Sequence, residues 1–219
     1  NLYPFQTDPT PYNPIEWPAM QALTVKQLVT FHLGPIELSV AEGETASIYG
    51  PSGSGKTLLL RAIADLDPHQ GEVWLKGQKQ CDTPPNQWRK AVAYCAAESQ
   101  WWGDLVTHHF PSEHDPAHLS LWFEMGGFTS DVLNWSVDRL SSGEKQRLSI
   151  IRQLVRQPEV LLLDEPTANL DPDNGQRIEE MIAHYQLHQR ATVIWVSHNQ
   201  LQLNRVSHHI FRMDNGQLY

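Results

Sequence analysis

The chain has 219 residues, 40% hydrophobic and 19% charged, which is enough to bury the core of one large domain or two small ones. Its 16 Lys and Arg against 25 Asp and Glu give a formal net charge of −9, which argues against a surface that coats nucleic acid. No run reaches the roughly 20 apolar residues of a membrane span, and no signal segment opens the chain, so we expect a soluble, cytoplasmic protein. The two cysteines, Cys81 and Cys95, are too few for a disulfide framework, and we expect both to be reduced.

The first half of the chain predicts an arm and a small antiparallel layer. Residues 1–21 carry five prolines with aromatic residues between them, which predicts an extended arm ahead of a single domain at 22–219. Residues 23–30 and 36–40 have the composition of strands. The alternating run 71–77 lies between two glycines and predicts another strand at an exposed sheet edge.

A phosphate-binding loop stands at residues 50–57, where GPSGSGKT fits the pattern G-x-x-x-x-G-K-[ST]. A short apolar run at 45–49 and a helical pattern at 58–64 give the strand, loop and helix that such a loop requires, which disfavours a chance glycine-rich turn. Small residues let backbone N–H groups converge on phosphate, while Lys56 neutralises it and the Thr57 hydroxyl binds Mg²⁺. The predicted ATP-binding residues here are Gly50, Pro51, Ser52, Gly53, Ser54, Gly55, Lys56, Thr57 and Leu58.

The second half of the chain alternates helices and strands. Between residues 101 and 140, prolines and glycines break the pattern into short pieces, which predicts a small helical insertion. Helical periodicity returns at 143–156. The apolar runs 160–163 and 192–196 predict strands buried on both faces, with a helix at about 175–188 between them. This alternation predicts an α/β core with a mainly parallel sheet.

Two carboxylates follow the first of these buried strands directly. Asp164 and Glu165 would lie at the carboxyl end of a central strand, where open α/β sheets bind their ligands. Asp164 fits the role of holding Mg²⁺, and Glu165, one residue beyond the strand, fits the general base that activates water. An isolated Asp-Glu pair is more often a solvated loop, but the apolar strand and the upstream phosphate loop favour the catalytic reading.

The segment LSSGEKQR at residues 140–147 opens the helix before that strand. Ser141 is a good N-cap residue, and Glu144 three positions later completes a capping box. Considered by itself, the segment predicts no more than a well-capped helix.

The whole set of motifs resembles the ATP-binding subunits of ABC transporters. They appear in that family's order: GPSGSGKT at 50–57, LSSGEKQR at 140–147, LLLDEP at 161–166, ANLD at 168–171, and His198 after the last strand. The resemblance runs from about Leu23 to the C-terminus. It implies a P-loop NTPase core with a mainly parallel sheet, a small antiparallel β layer and a short helical subdomain inserted at about 100–157.

The resemblance also implies the cofactors and partners. ATP and Mg²⁺ bind between two copies of the chain that meet head-to-tail, and 169–171 lines their contact. His198 contacts the γ-phosphate as a second catalytic residue beside Glu165. The partner is a separate integral membrane transporter subunit, which holds the chain at the inner face of the cell membrane, and no nucleic acid is expected. The signature residues, which serve the nucleotide of the opposite copy, are Ser141, Ser142, Gly143 and Glu144.

Three positions depart from the family or leave a choice. The family's glutamine that reaches Mg²⁺ is replaced by Ala97, so that Glu98 or Gln100 takes over, water fills the position, or hydrolysis is weak. Ser142 replaces a signature glycine. Adenine would stack on Phe31 or on the neighbouring His32.

The Tyr-Cys-Ala stretch at 94–96, Gly103-Asp104, Phe110-Pro111 and the Gly-Glu-Lys-Gln-Arg signature make the chain look most similar to the ATPase subunits of Fet-type iron exporters. This resemblance makes metal export the expected transport. Histidines 108, 109, 114 and 118 crowd the insertion, but without cysteines or an acidic cage they do not favour a metal site. Two alternatives stay open: an ABC-type ATPase that acts on DNA ends or ribosomes, and an ATP-binding module whose hydrolysis is weak because of Ala97.

Overall fold

The computed structural model describes residues 21–111, 116–168 and 170–219, with the backbone alone at 116 and 117. The predicted arm lies outside the described residues, except for Gln21, which begins the first strand. The strands are β1 (Gln21–Thr30), β2 (Leu33–Ala41), β3 (Thr45–Tyr49), β4 (Gln70–Leu75), β5 (Gln78–Lys79), β6 (Val92–Cys95), β7 (Val160–Asp164), β8 (Thr192–Val196), β9 (His209–Asp214) and β10 (Gln217–Leu218). The helices are α1 (Lys56–Ile63), α2 (Pro85–Ala91), α3 (Pro116–Met125), α4 (Ser142–Leu154), α5 (Pro172–Gln189) and α6 (Gln200–Val206).

A four-stranded antiparallel sheet has the order β2-β1-β4-β5. It confirms the predicted antiparallel layer, in which β1 pairs with both β2 and β4. The prediction that 71–77 forms an exposed edge is wrong, because β4 lies between β1 and β5. The pairing of β5 covers only Gln78 and Lys79, a strand too short to show a period in the sequence.

The second sheet has six strands in the order β10-β9-β3-β8-β7-β6. The strands from β9 to β6 pair in parallel, and β10 adds an antiparallel edge. This confirms the predicted α/β fold with a mainly parallel sheet. Because parallel strands end on the same side, the loops after β3, β7 and β8 meet at one edge of the sheet.

The central strands β7 and β8 are buried over their whole length, as their apolar runs predict. Their side chains alternate between two hydrophobic clusters. Leu161, Leu163 and Trp195 face the cluster built with α3, α4 and α5, whereas Leu162 and Ile194 face the cluster built with α1 and the antiparallel sheet. The sheet is thus held on both faces, which fixes the strand ends that carry the polar residues.

The insertion between β6 and β7 is helical, as predicted. It combines α3 and α4 with short 3-10 turns at Val106–His109, Ser130–Asn134 and Val137–Arg139. Helix α4 ends at Leu154, two residues before the predicted end. Gln157 has a left-handed φ of 54° and Pro158 follows, so the chain turns toward β7 early. None of the helices described is long and apolar enough to cross a membrane.

Replacing a central isoleucine tests the importance of the parallel sheet for stability. Ile194→Ala in β8 removes a side chain with no exposed surface, and we expect a loss of about 2–5 kcal/mol in the free energy of unfolding. Ile210→Ala in β9 is the matched control, because this side chain is 38% exposed and its loss should cost about 0.5 kcal/mol or less. Urea unfolding of the two variants measures the difference, and equal losses would contradict a core centred on β7 and β8.

Candidate functional site

The loop at residues 50–55 leaves β3 and delivers the chain to α1. Gly50 has a φ of 156°, and a Cβ at this position would overlap the carbonyl oxygen of Met213. Gly55, with a φ of 106°, is the N-cap residue of α1. Both backbone conformations are ones that side-chain-bearing residues avoid. The glycines therefore let the loop turn tightly and present the first N–H groups of α1.

Lys56 is folded back over this loop. Its Nζ donates hydrogen bonds to the carbonyl oxygens of Gly50, at 2.8 Å, and Pro51, at 3.0 Å. Burial lowers the pKa of Lys56, although the nearby carboxylates of Glu165 and Asp164 act in the opposite direction. These carbonyl contacts are ones that the ammonium group can exchange for phosphate oxygens.

Ser54 also indicates that the loop binds an anion. Its Oγ is buried and has no hydrogen-bond partner among the described residues. A buried hydroxyl without a partner is costly in a folded protein, and an anion in the loop would satisfy it.

One carboxylate oxygen joins three elements at the sheet edge. Asp164 Oδ2 accepts a hydrogen bond from the Thr57 hydroxyl at 2.8 Å and another from the Tyr94 hydroxyl at 2.9 Å. Burial and the neighbouring Asp164 raise the pKa of Tyr94, so its phenol stays a donor. A hydroxyl and a carboxylate in contact are the hard oxygen ligands that Mg²⁺ prefers, so the predicted pair Thr57 and Asp164 fits this ion.

Glu165 follows β7 and is paired with His198, which comes two residues after β8. Glu165 Oε1 lies 2.7 Å from His198 Nε2, and the Glu165 N–H donates to the carbonyl of Val196 at 3.0 Å. Glu165 has a left-handed φ of 48°, a strained conformation for a residue with a side chain. These two contacts, with Val196 and His198 at the carboxyl end of β8, hold the strained turn and orient the carboxylate.

Lys56, Thr57, Glu165 and His198 all line one cavity of about 330 Å³. Phe31 is 71% exposed, and it is His32, the other candidate for stacking on adenine, that contributes to the wall. Eight of the predicted site residues therefore line the same cavity as His32, one of the two candidates for the adenine contact. The cavity is lined by His32, Ser52, Gly53, Gly55, Lys56, Thr57, Leu58, Glu165 and His198.

A larger groove of about 1270 Å³ lies between α5 and α6, beside the turn after β2. Its polar side chains bond one another: Gln202 Nε2 donates to Glu179 Oε1 at 2.9 Å, and Arg205 pairs with the same carboxylate. We assign the chemistry to the smaller cavity, because the phosphate-loop motif, the predicted metal ligand Thr57 and the Glu165–His198 pair meet there.

The predicted signature stands at the start of α4, outside the walls of this cavity. Ser141 Oγ accepts from the Glu144 N–H at 3.2 Å, and Glu144 Oε2 accepts from the Ser141 N–H at 2.8 Å, which confirms the capping box. The backbone hydrogen bond from Ser141 lowers the pKa of Glu144. Ser141 and Ser142 are exposed, whereas Gly143 is half-buried, and a Cβ on it would meet Leu170 Cδ2 at 3.0 Å.

Comparisons with known proteins decide the family. The sequence model described as "ABC transporter" matches residues 33–168. The chain belongs to this family. The Escherichia coli K12 protein named "Probable iron export ATP-binding protein FetA" is 37% identical over 180 residues, which are 78% of this chain and 80% of FetA. The phosphate import ATP-binding protein PstB of Aeropyrum pernix is 33% identical over 208 residues, 84% of this chain and 81% of PstB.

The fold is that of known ABC ATPases. The dimeric post-hydrolysis structure of the ATP-binding cassette MJ0796 with ADP and Pi matches with a TM-score of 0.76 at 23% identity, over 90% of this chain and 96% of that chain. These findings confirm the predicted resemblance, including the Fet-type exporter ATPases, and the assignment as an ABC ATP-binding subunit. In this ABC ATPase, residues of the phosphate-loop motif and of the sheet edge line the cavity described above.

The predicted substitutes for the glutamine missing at position 97 do not line the cavity. Ala97 follows β6 with a methyl side chain, and both Glu98 and Gln100 are exposed and outside the cavity walls. Asn169, from the predicted dimer contact, lies outside the described residues, and Asp171 accepts from the Asn174 N–H at 2.9 Å as the N-cap residue of α5.

The histidines of the insertion serve other contacts. Trp122 Nε1 donates to His118 Nε2 at 3.1 Å, and His109 Nε2 lies 3.1 Å from both the backbone N and the carbonyl O of Gly103. His114 lies outside the described residues. Across the ranges described, no three His, Cys, Asp or Glu residues form a group that could hold a metal ion.

Sequence reasoning missed two residues that frame the site, the half-buried Tyr94 and the buried Gln146. Tyr94 bonds Asp164 from β6, and Gln146 Nε2 in α4 donates to the carbonyl oxygen of Ala96 at 3.2 Å. A tyrosine within an apolar strand was the available signal for the first. Gln146 gave no signal in the sequence, because its partner is a backbone carbonyl 50 residues away.

Glu144→Gln tests whether the charge of the capping box stabilises the signature helix. The folded-state pKa of Glu144 is lowered, so its charge stabilises the protein at neutral pH, and this contribution disappears as the pH falls through the lowered pKa. We expect wild type to exceed the variant in stability at neutral pH and the gap to shrink in acid, as measured by urea unfolding across pH.

Ser141→Ala is the control, because it costs about 1 kcal/mol through loss of the cap oxygen. It also removes the hydroxyl that donates to Glu144 Oε2, a smaller cause of the lowered pKa, so only a small part of its cost should change with pH. It keeps the backbone N–H of Ser141 that is the main cause of the shifted pKa. A gap between wild type and Glu144→Gln that does not change with pH would contradict the prediction.

Proposed function

We propose that this ABC ATPase hydrolyses Mg²⁺-bound ATP between two head-to-tail copies and so drives a separate membrane subunit that exports iron. The convergence of Lys56, Thr57 and the Glu165–His198 pair on one cavity carries the proposal, together with the hydrogen bond that joins Thr57 to Asp164. Each of the three provides a group that phosphoryl transfer to water needs: a cation, metal ligands and a base.

The phosphate loop and the proposed metal ligands would bind Mg²⁺–ATP. The N–H groups at the start of α1 and the Lys56 ammonium would contact the β- and γ-phosphates. Thr57 and Asp164 would hold Mg²⁺, which supplies further neutralisation of phosphate charge when it is bound. His32, in the cavity wall, is the better placed candidate for the adenine contact.

Hydrolysis is the work of Glu165 and His198. Glu165 would accept a proton from the attacking water as general base. Its 2.7 Å contact with His198 fixes the carboxylate relative to β8 and would place the histidine beside the γ-phosphate. The strained turn at Glu165 keeps the carboxylate just beyond the sheet edge.

The second copy completes the site. The signature residues Ser141 and Ser142 are exposed at a capped helix start and lie outside the cavity of their own chain. A helix start is suited to bind an anion, so in the proposed dimer it faces the phosphate held by the opposite copy's Lys56. Two such sites make the head-to-tail arrangement symmetric.

Iron export and membrane association rest on the relatives. FetA is named for iron export, and it is similar to this chain over 80% of its own length. A membrane subunit that binds this chain would place it at the inner face of the cell membrane. Co-purification of the chain with that subunit, followed by ATP-driven movement of Fe²⁺ in vesicles, tests the assignment, and a DNA or ribosomal companion would favour the non-transport alternative.

Glu165→Gln tests the general base. The amide keeps the size of the side chain but cannot take up a proton, so we expect hydrolysis to slow on the order of 100-fold or more with ATP affinity retained. Steady-state ATPase assays and nucleotide titration measure the two effects. Wild type without Mg²⁺-dependent turnover, alone and with the membrane subunit, would instead favour the ATP-binding module with weak hydrolysis.

Mixing two inactive variants tests the head-to-tail dimer. Lys56→Ala removes the phosphate cation, and Ser141→Asp keeps a good N-cap residue while adding negative charge where the phosphate would lie. If the two groups act across copies, a mixed dimer regains one intact site, and we expect about a quarter of wild-type ATPase activity from an equal mixture. Recovery no greater than the sum of the separate variants would show that both groups act within one chain.

A further inference from the structure

Tyr94 is the side chain through which β6 contacts the metal ligands. It pairs with Leu162 of β7 in the parallel sheet, and its hydroxyl lies 2.9 Å from Asp164 Oδ2, the same oxygen that accepts from Thr57. The Tyr94 side chain is half-buried, and Asp164 is only 4% exposed. Such a buried carboxylate depends on its hydrogen-bond donors for its orientation.

The residues that follow Tyr94 do not provide a second link of this kind. Ala97 ends in a methyl group, and the exposed Glu98 and Gln100 do not line the cavity. The phenol of Tyr94 therefore bonds the metal ligands from a chain segment whose later polar side chains lie away from them.

We propose that Tyr94 is a positioning residue of the Mg²⁺–ATP site, which orients Asp164 and provides the link between β6 and the metal ligands in a chain with alanine at position 97. This inference rests on the proposed function. Tyr94 acts through the carboxylate: with two hydroxyl donors on Oδ2, Asp164 keeps one orientation toward Thr57. Partners of this kind, one bond away from a metal ligand, tune both the orientation and the affinity of the ligand.

The same strand end is tied to the signature helix. Two residues after Tyr94, the carbonyl oxygen of Ala96 accepts a hydrogen bond from Gln146 Nε2, and Gln146 is a buried residue of α4. The short segment 94–96 thus connects Asp164 on one side with the helix that Ser141 caps on the other.

Tyr94→Phe tests the proposal, because it removes the hydroxyl and keeps the ring. With ATP in fixed excess, the free Mg²⁺ concentration that gives half of the ATP-dependent rise in Tm should increase on the order of tenfold. The Mg²⁺ dependence of ATPase activity should shift by the same factor. Binding of ATP in the presence of EDTA should be unchanged, because the phosphate loop is intact.

Tyr185→Phe is the matched control. Its hydroxyl is also buried and donates to the carbonyl oxygen of Pro158 at 2.7 Å, behind the sheet and outside the cavity. This variant should lower Tm without changing the Mg²⁺ concentration for half effect. If Tyr94→Phe behaves in the same way, its hydroxyl has only a structural role and the inference is overturned.

Ala97→Gln in the Tyr94→Phe background provides the rescue. A glutamine carbonyl at this position offers an oxygen ligand in place of the lost hydroxyl contact, and we expect it to recover most of the Mg²⁺ affinity. Lack of recovery would overturn the claim that Tyr94 compensates for Ala97. A wild-type protein without any Mg²⁺-dependent Tm shift would overturn the proposed function itself, whereas a normal wild type with an unaffected Tyr94→Phe overturns only this inference.

Discussion

The two hydrogen bonds to Asp164 Oδ2 are the interaction on which the site depends. They join β7 to α1 through Thr57 and to β6 through Tyr94, at a carboxylate that is almost fully buried. A buried charge without such partners is costly enough to change its protonation or displace its chain. The requirement to satisfy this one oxygen therefore fixes α1, the end of β7 and the end of β6 relative to one another.

The parallel pair of β7 and β8 makes this arrangement rigid. Both strands are buried along their length and send alternate side chains into separate hydrophobic clusters, so neither can slide without exchanging its two faces. Their carboxyl ends then carry Glu165 and His198 to within 2.7 Å of each other. The strained turn at Glu165 is tolerable because the packed strands on either side hold it.

The phosphate loop and the signature helix, the two parts of the proposed site, lie apart within one chain. The loop at 50–57 lines the cavity, while the signature helix α4 begins outside it and is anchored by the burial of residues such as Gln146 and Arg147. Gln146 connects this helix to the strand that bears Tyr94. In the proposed dimer, Tyr94 and Gln146 would therefore connect the nucleotide site of one chain with the signature residues that the same chain presents to the opposite site.

Local spacing in the sequence determined much of this protein. Three kinds of feature are each set by residues a few positions apart, and each appears as predicted. They are the loop at 50–57, the apolar runs ahead of Asp164 and before His198, and the capping box of Ser141 and Glu144. Such features follow from backbone geometry and helix or strand periods, which act over short stretches of chain.

Only the tertiary structure decided which distant residues meet. Tyr94 bonds Asp164 across 70 positions of sequence, and Gln146 bonds Ala96 across 50. Strand β4 lies inside its sheet only because the two-residue strand β5 pairs with its outer side. The tertiary structure also decided that His32 lines the cavity wall. These contacts depend on how whole elements stack and on which buried polar atoms must find partners, and neither leaves a periodic mark in the sequence.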